Sequence, residues 1–281
     1  MFRTGFALPE GIQGLFETPL PPDILQAVED LERDHQSEWL ARKIAVFDLD
    51  NTLLVGDIGD AVFASLLQQG SIRIVSWSEY RGLLETNPIE ALTSVVTSMS
   101  GLTEAHVQRT TLALLSRGGT YLEWDRASIP IPYAHPAMRQ LVSLLRRHGY
   151  QVHVISASNE ISARLAAWRL FGIPPFNVFG LRQRIEQGKL TGKILDPVPF
   201  DGGKEKVYRE FIGNKAPIIS AGDSFFDIPL LRMTDPRGFS IWVGEEKREF
   251  EFAQRRIDVG SRFLFLQRRS GLEIDEQRVD A

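Results

Sequence analysis

Apolar residues along the chain form short runs that predict buried strands. The run IAVF at 44–47 is too short for a helix and apolar on both faces, which is typical of a central strand in a parallel sheet. Similar strand-like runs are QVHVIS at 151–156, the first residues of APIISAGDSFFDIPLL, and FSIWVG at 239–244. Between these runs, residues 177–195 are predicted to form short strands in a hairpin centred on glycine.

Helical spacing of apolar residues predicts the remaining elements. Apolar residues recur at this spacing from Ile58 to Leu66, Asn87-Pro88 begins a further helix, and Thr103 can cap a third. Residues 56 to about 134 are therefore predicted to form a nearly all-helical block. A helix is also predicted before the first strand, in the segment that begins PPDILQAVEDL.

Alternation of strands and helices resumes at His135-Pro136. This order predicts an α/β fold, a doubly wound parallel sheet with an all-helical cap inserted after the first strand. The predicted organisation is an N-terminal arm and helix at 1–42, an α/β core at 43–55 and 135–245, a helical cap at 56–134, and a C-terminal tail packing on the core at 246–281.

Composition narrows the classes of function. The 281 residues include 32 Lys and Arg against 36 Asp and Glu, a formal net charge of −4 without a basic run, so a nucleic-acid partner is not expected. The absence of cysteine excludes disulfides, thiolate metal sites and cysteine nucleophiles. No segment is apolar enough to be a secretory leader or a membrane span, so we expect a cytoplasmic protein. The oligomeric state is left open.

Polar residues follow each predicted strand or begin the next helix. Because ligands of open α/β sheets bind outside the carboxyl ends of the strands, these residues are predicted to share one edge. They are Asp48, Asp50, Thr52, Ser156, Lys204, Asp223 and Asp227.

This set of side chains suits phosphoryl transfer. Several carboxylates with waters and a phosphate ligand describe a Mg²⁺ site, and a lysine with helix-terminal amides can neutralise the remaining phosphate charge. One aspartate can attack phosphorus, and a second can protonate the departing alcohol. The alternative for any single motif is a polar strand end without catalytic function.

The motifs DLDNT, VIS, GGK and GDSFFD, in this order, resemble the four motifs of the haloacid dehalogenase-like hydrolase superfamily. The resemblance spans about residues 43–243 and places the helical block where that family carries its first-insertion cap. It implies that Asp48 is the nucleophile and a metal ligand. It also implies that Asp50 is the general acid and base and gives its backbone carbonyl to the metal. Members without that acid are dehalogenases or phosphorylating ATPases, so Asp50 favours a phosphatase.

The same resemblance assigns the other strand-end residues. Thr52 would steady the loop that carries the acid/base residue. The phosphoryl group would be bound by Ser156, by the following Ala157 at a helix N-terminus, and by Lys204. Asp223 would bind magnesium, and Asp227 would support or complete the metal site. The cofactor implied is Mg²⁺, and the partner is a small-molecule phosphate ester.

The position of the cap and the segments GKLTGKI at 188–194 and DGGKEKV at 201–207 resemble the phosphoserine phosphatase branch, which includes phosphocholine and phosphoethanolamine phosphatases. In that branch an acidic residue nine places after the nucleophile faces the substrate amine, and Asp57 stands there. The alternative is that Asp57 caps the first cap helix, and both can be true. Phe226 and Ser224 depart from the phosphoserine pattern, and ISASN at 155–159 looks more like the phosphocholine-type relatives. The resemblance therefore points to a small phosphorylated amino alcohol.

Two groups of cap side chains could contact the substrate, and each has an alternative interpretation. Arg73 and Arg81 could pair with a substrate carboxylate, or lie on a solvated helix face. Four aromatic residues could form a cage for a quaternary ammonium group, or belong to the core of the cap. They are Phe63, Trp77, Tyr80 and Trp124.

Two other functions compete with hydrolysis. The same aspartyl-phosphate could pass its phosphoryl group to another alcohol, which would make the protein a phosphotransferase. The fold could also serve as a non-catalytic module that binds a phosphorylated ligand, with the N-terminal arm and the C-terminal segment contacting a partner.

Overall fold

A computed structural model describes residues 19–34, 43–72 and 76–268. Most of the predicted N-terminal arm and the residues after 268 lie outside this description, as does Arg73. The strands of the described chain are β1 (Ile44–Phe47), β2 (Leu54–Val55), β3 (Tyr121–Trp124), β4 (Ala127–Pro130), β5 (Tyr133–Ala134), β6 (Gln151–Asn159), β7 (Val178–Glu186), β8 (Lys189–Leu195), β9 (Ile219–Gly222), β10 (Phe239–Gly244) and β11 (Arg262–Gln267).

Seven of these strands form one sheet in the order β11-β10-β9-β1-β6-β7-β8. Every neighbouring pair is parallel except the antiparallel β7–β8 hairpin at one edge. Strand β1 lies between β9 and β6, and Phe47 is in register with Ala221 on one side and Val154 on the other. The carboxyl ends of the three central strands therefore lie side by side.

Helices cover both faces of the sheet. The helices of the described chain are α1 (Pro22–Asp34), α2 (Ile58–Gln68), α3 (Trp77–Thr86), α4 (Pro88–Ser98), α5 (Glu104–Leu115), α6 (Pro136–Arg147), α7 (Glu160–Phe171), α8 (Gly202–Val207, continued by a π-helical turn over Tyr208–Ile212), α9 (Ile228–Arg232) and α10 (Lys247–Arg256). No helix of the described residues is long and apolar enough to cross a membrane.

Strand β1 shows how the sheet is buried from both sides. Ala45 and Phe47 contribute to the large core that includes α6 and α7, whereas Val46 points to the other face and packs with Tyr208 and Leu230. Alternate side chains of one strand point to opposite faces, so a strand apolar throughout needs cover on both. The predicted doubly wound α/β sheet is confirmed.

The inserted segment contains more than the predicted helices. Strands β3 and β4 form an antiparallel hairpin inside it, whose turn residues Asp125 and Arg126 have φ values of 49° and 62°. Such turns are usually signalled by Asn-Gly or Asp-Gly, so Asp-Arg gave no sequence signal. Helix α3 also went unpredicted, although Ser76 and Glu79 form a capping box at its start.

The C-terminal segment is part of the sheet rather than a tail lying on the core. Helix α10 follows β10, and β11 then adds a further parallel strand at the edge, with Gln267 opposite Gly244. The run RFLFLQ carries its apolar residues where a strand needs them, and Leu264 and Leu266 are buried. Because β11 runs parallel to β10, β9 and β1, its carboxyl end lies on the same side of the sheet as the carboxyl ends of β1 and β9.

Candidate active site

Carboxylates from two separate strand ends converge beyond the central strands. Asp48 follows β1 and donates its backbone N–H to the carbonyl of Ala221 in β9, at 3.0 Å. Carboxylate oxygens of Asp48, Asp223 and Asp227 lie within 4.8 Å of one another. The structure thus brings together the three aspartates whose carboxylates were predicted to hold or support a metal ion.

Lys204 lies buried between two of these aspartates. Its Nζ atom is 2.5 Å from Asp48 Oδ1 and 2.5 Å from Asp227 Oδ1, and the residue is 3% exposed. Burial alone would lower the pKa of this ammonium group, but the charges of Asp227 and Asp48 outweigh burial and raise the pKa above its ordinary value. Lys204 is therefore cationic, whereas Lys206 on the same short helix is exposed.

Asp227 has the hydrogen-bond pattern of a supporting residue. Its Oδ2 atom accepts hydrogen bonds from the backbone N–H groups of Asp223 and Ser224 and from the Ser224 hydroxyl, and its Oδ1 atom accepts from Lys204. A β-carbon at Gly222 would lie 2.3 Å from the Asp227 Cβ atom, so this close packing needs glycine. These contacts favour the supporting role for Asp227 over direct metal ligation.

The protein around Asp48 and Asp223 disfavours the charged forms of both carboxyl groups in the absence of a further cation. Burial, followed by the charge of Asp227, raises the pKa of Asp223 to about 7, against the opposing effect of Arg268. Burial also raises the pKa of Asp48, although Lys204 opposes the shift. Clustered carboxylate oxygens are the donor set that Mg²⁺ prefers, so these residues fit the implied ion.

Asp50 lies beside this cluster and joins the core to the inserted segment. Its Oδ1 atom accepts the backbone N–H of Ile58 at 2.7 Å, and its Oδ2 atom accepts from the hydroxyls of Ser156 at 3.0 Å and Ser158 at 2.8 Å. Burial raises the pKa of Asp50, and the three hydrogen bonds oppose the rise. A carboxyl group with a raised pKa suits a general acid. Metal binding through its backbone carbonyl stays a prediction.

The residues after β6 differ from the expected helix start. We expected a helix N-terminus at Ala157-Ser158, but β6 continues to Asn159 and α7 begins at Glu160. The Asn159 side chain caps α7 by accepting the N–H of Ser162, which places the helix start beyond Ser156. Phosphate binding by Ser156 and Ala157 therefore cannot rest on direct contact with a helix start at these positions, and it stays a prediction.

Thr52 and Asp57 both follow Asp50 along the chain. Thr52 is fully buried, and its hydroxyl lies 3.4 Å from Asp223 Oδ1. Asp57 caps α2, accepting the N–H of Asp60 at 2.9 Å, which agrees with the capping alternative. Burial, followed by the charges of Asp50 and Asp60, raises the pKa of Asp57 well above its ordinary value. No cationic side chain of the described chain pairs with it.

The cap aromatics belong to a packed core. Phe63, Trp77 and Tyr80 are buried and contact one another, with ring centroids 4.9 Å apart for Phe63 and Tyr80. The Tyr80 hydroxyl donates to Asp60 at 2.5 Å, and Arg81 pairs with the same carboxylate at 3.2 Å. The aromatic residues therefore favour the core alternative, and Arg81 is already neutralised within the cap.

Two side-chain contacts at the site, made by Ser158 and Arg268, were not predicted from the sequence. Ser158 binds Asp50, and a β-carbon at Gly59 would lie 2.6 Å from its hydroxyl, so the first turn of α2 packs closely on this loop. Arg268 follows β11 and reaches Asp223. The rule that polar residues after parallel strands face the site would have found Arg268, had β11 been recognised as a strand.

The glycine pair before Lys204 gives a testable difference. A β-carbon at Gly203 would lie 1.8 Å from the carbonyl oxygen of Val198, whereas one at Gly202 has no atom within 4 Å. Gly203→Ala is therefore expected to reduce the free energy of unfolding by about 1–3 kcal/mol, because the helix that carries Lys204 must move. Gly202→Ala is the matched control and should be neutral. Urea unfolding measures both, and equal stability of the two variants would contradict the close approach.

These features can be compared with known proteins. The model of the family described as haloacid dehalogenase-like hydrolase matches residues 45–232, which include all but the first residue of β1, the site residues up to Asp227, and the whole inserted segment. The chain therefore belongs to the haloacid dehalogenase-like hydrolase family.

Curated relatives of the chain include two phosphatases. It is 24% identical over 203 residues to phosphoserine phosphatase SerB2 of Mycobacterium tuberculosis, covering 70% of this chain and 44% of that protein. It is 23% identical over 265 residues to phosphorylcholine phosphatase of Pseudomonas aeruginosa, covering 74% of this chain and 76% of that protein. The chain thus spans less than half the length of the first of these relatives.

A solved structure shares the fold. The phospho-aspartyl intermediate analogue of phosphoserine phosphatase aligns with a TM-score of 0.52 and 18% sequence identity, covering 81% of this chain and 94% of that chain. At this identity the likeness shows the fold, and the chemistry must be argued from the site.

Proposed function

We propose that this protein is a Mg²⁺-dependent phosphomonoester hydrolase that acts through an aspartyl-phosphate on Asp48. The observation that carries the proposal is the arrangement of Asp48. Its carboxylate is clustered with those of Asp223 and Asp227 and contacts the Lys204 ammonium at 2.5 Å. The nearby carboxyl group of Asp50 has a raised pKa and lies outside this cluster. The family and the two curated phosphatases support the same reaction class.

The proposed reaction has two steps. In the first, an Asp48 carboxylate oxygen attacks phosphorus, the ester P–O bond breaks, and Asp50 gives its proton to the departing alcohol oxygen. In the second, Asp50 takes a proton from water as that water attacks phosphorus, which releases phosphate and restores Asp48. Lys204 and Ser156 would hold the phosphoryl oxygens. Magnesium, when bound by Asp48 and Asp223, supplies positive charge beside the phosphoryl group.

We further propose a small phosphorylated amino alcohol as substrate. Asp57 is a half-buried carboxylate beside Asp50, and its pKa is raised well above the ordinary value, so a cationic group nearby would stabilise its charged form. Phosphoserine and phosphorylcholine, named in the two curated relatives, both carry a cationic nitrogen. Arg81 is paired with Asp60, so among the described residues it does not offer a free guanidinium to a substrate carboxylate. That pairing favours substrates without a carboxylate.

A panel of phosphate esters tests the proposal. Phosphorylcholine, phosphoethanolamine, phosphoserine and p-nitrophenyl phosphate are compared by phosphate release, with magnesium and with EDTA. We expect hydrolysis that requires magnesium and is fastest for an amine-bearing ester. Hydrolysis that persists in EDTA would contradict the metal dependence. A competing alcohol that becomes phosphorylated in place of water would show a phosphotransferase instead.

The role of Asp57 can be separated from its helix cap. Asn is as good an N-cap as Asp, so Asp57→Asn removes the charge and keeps the cap. For amine-bearing esters we expect KM to rise roughly tenfold or more, because a charge-assisted contact is lost. For p-nitrophenyl phosphate, which lacks an amine, KM should stay unchanged. Steady-state kinetics on both substrates measure this, and an equal change in both would contradict the amine contact.

A further inference from the structure

The last strand of the sheet delivers a cationic side chain to the candidate active site. Strand β11 is paired in parallel with β10, and the backbone N–H of Arg268, just after its end, donates to the carbonyl of Gly244 at 2.7 Å. This contact continues the hydrogen-bond ladder between β10 and β11 by one residue, and it holds the backbone from which the Arg268 side chain extends. Arg268 lies beyond residues 45–232, the part of the chain that matches the family.

The guanidinium group of Arg268 makes contacts on both of its terminal nitrogens. Nη1 donates to the backbone carbonyl of Asn51 at 2.7 Å and lies 3.5 Å from Asp223 Oδ2. Nη2 lies 3.4 Å from Glu245 Oε1. The Arg268 side chain is 14% exposed and that of Asp223 is 20% exposed, so their contact is partly shielded from water and is stronger than a surface pair. Glu245 is 57% exposed, so its contact with Arg268 is a weak surface pair. One side chain therefore joins the loop after β1 to the predicted metal ligand after β9.

The backbone of Asn51 adopts a conformation that contacts from other residues help to hold. It lies between Asp50 and Thr52, has a φ of 58° in the left-handed region, and donates its N–H to the carbonyl of Gly56 at 3.0 Å. Left-handed backbone is uncommon outside glycine, and although asparagine adopts it more readily than most residues, contacts from the surroundings help to hold it. The hydrogen bond from Arg268 to the Asn51 carbonyl holds this turn, and with it the backbone on either side.

We propose that Arg268 is a positioning residue for the metal site. It orients Asp223 and the Asn51 turn relative to Asp48, so that the C-terminal strand completes a site whose other residues come from the family core. This inference rests on the proposed function only in taking Asp223 and Asp48 as magnesium ligands. Replacement of a residue that holds a metal ligand in place typically lowers metal affinity, or activity, by about ten- to a hundredfold.

Magnesium binding measured by calorimetry on the full chain, without substrate, tests the inference. We expect R268Q to bind magnesium at least about tenfold more weakly than the wild type. R268K keeps the charge but not the planar fork, so it should recover only part of the affinity. R262Q is the matched control, because Arg262 lies on the same strand and its partner is Asp30, at 3.6 Å. This variant should bind magnesium as the wild type does.

The outcomes separate this inference from the proposed function. Magnesium affinity of R268Q equal to or above that of the wild type would overturn the positioning role, even if the wild type hydrolyses phosphate esters. Weaker binding by R268Q in a protein that hydrolyses none of the esters would support the positioning role and contradict the proposed function. Thermal unfolding without magnesium shows whether R268Q is folded. If R268Q is not folded, the magnesium affinity of R268K is the deciding measurement. An R268K affinity equal to that of the wild type would overturn the inference, and a reduced affinity would support it.

Discussion

Replacement of Asp48 with asparagine is expected to lower phosphate release by at least about four orders of magnitude, because an amide cannot form the phosphorylated intermediate. The change is nearly isosteric, and the amide oxygen can still accept a hydrogen bond from Lys204 Nζ, 2.5 Å from the carboxylate oxygen it replaces. The variant should therefore stay folded. Phosphate release at saturating substrate and magnesium is the measurement, with thermal unfolding followed on the same sample.

A matched change elsewhere makes this result interpretable. Asp30 lies on α1 and pairs with Arg33 at the surface, so Asp30→Asn should leave turnover unchanged. If Asp48→Asn retained more than about a hundredth of the wild-type rate, the reaction would not depend on a covalent intermediate at this residue. A water molecule activated within the carboxylate cluster would then be the better hypothesis for the nucleophile.

Replacement of Lys204 with methionine is expected to destabilise the metal-free protein by about 3–5 kcal/mol, because the buried carboxyl groups of Asp48 and Asp227 would lose the cation that they share. Turnover should also fall about a hundred- to a thousandfold, since a group that stabilises charge on the phosphoryl oxygens is lost. Magnesium should restore part of the stability of this variant, because binding to the folded state compensates for the missing charge.

Lys206→Met is the matched control for that experiment. Lys206 lies two residues further along the same short helix and is exposed, so its replacement should change neither stability nor turnover appreciably. Urea unfolding with and without magnesium measures the difference between the two variants. Similar unfolding free energies for both would mean that the buried Lys204 ion pairs do not stabilise the fold.

The sheet could be predicted well because its strands are marked locally. Strands β1 and β10 begin and end where the runs IAVF and FSIWVG do, and the hairpin of β7 and β8 lies within the predicted segment. The hairpin of β3 and β4 and the edge strand β11 could not be predicted in the same way. The turn of the β3–β4 hairpin lacks glycine, and β11 follows a charged helix that resembled part of a tail.

The candidate site was predictable to a similar degree. The sequence order of strand-end residues identified Asp48, Asp223 and Lys204, and the structure brings them together. The preference for Lys204 over Lys206 also agrees with the structure. What could not be predicted is how each carboxylate is held, including the contact of Asp50 with Ser158 and that of Asp223 with Arg268.

The sequence by itself determined the central strands, most of the helices and the polar residues at the strand ends, because apolar spacing and turn residues act over a few neighbouring positions. Only the tertiary structure decided which side chains share hydrogen bonds. Arg268 and Asn51 are 217 positions apart, and their contact depends on β11 joining the far edge of the sheet. Such a pairing is set by packing over the whole fold, which no local pattern of residues records.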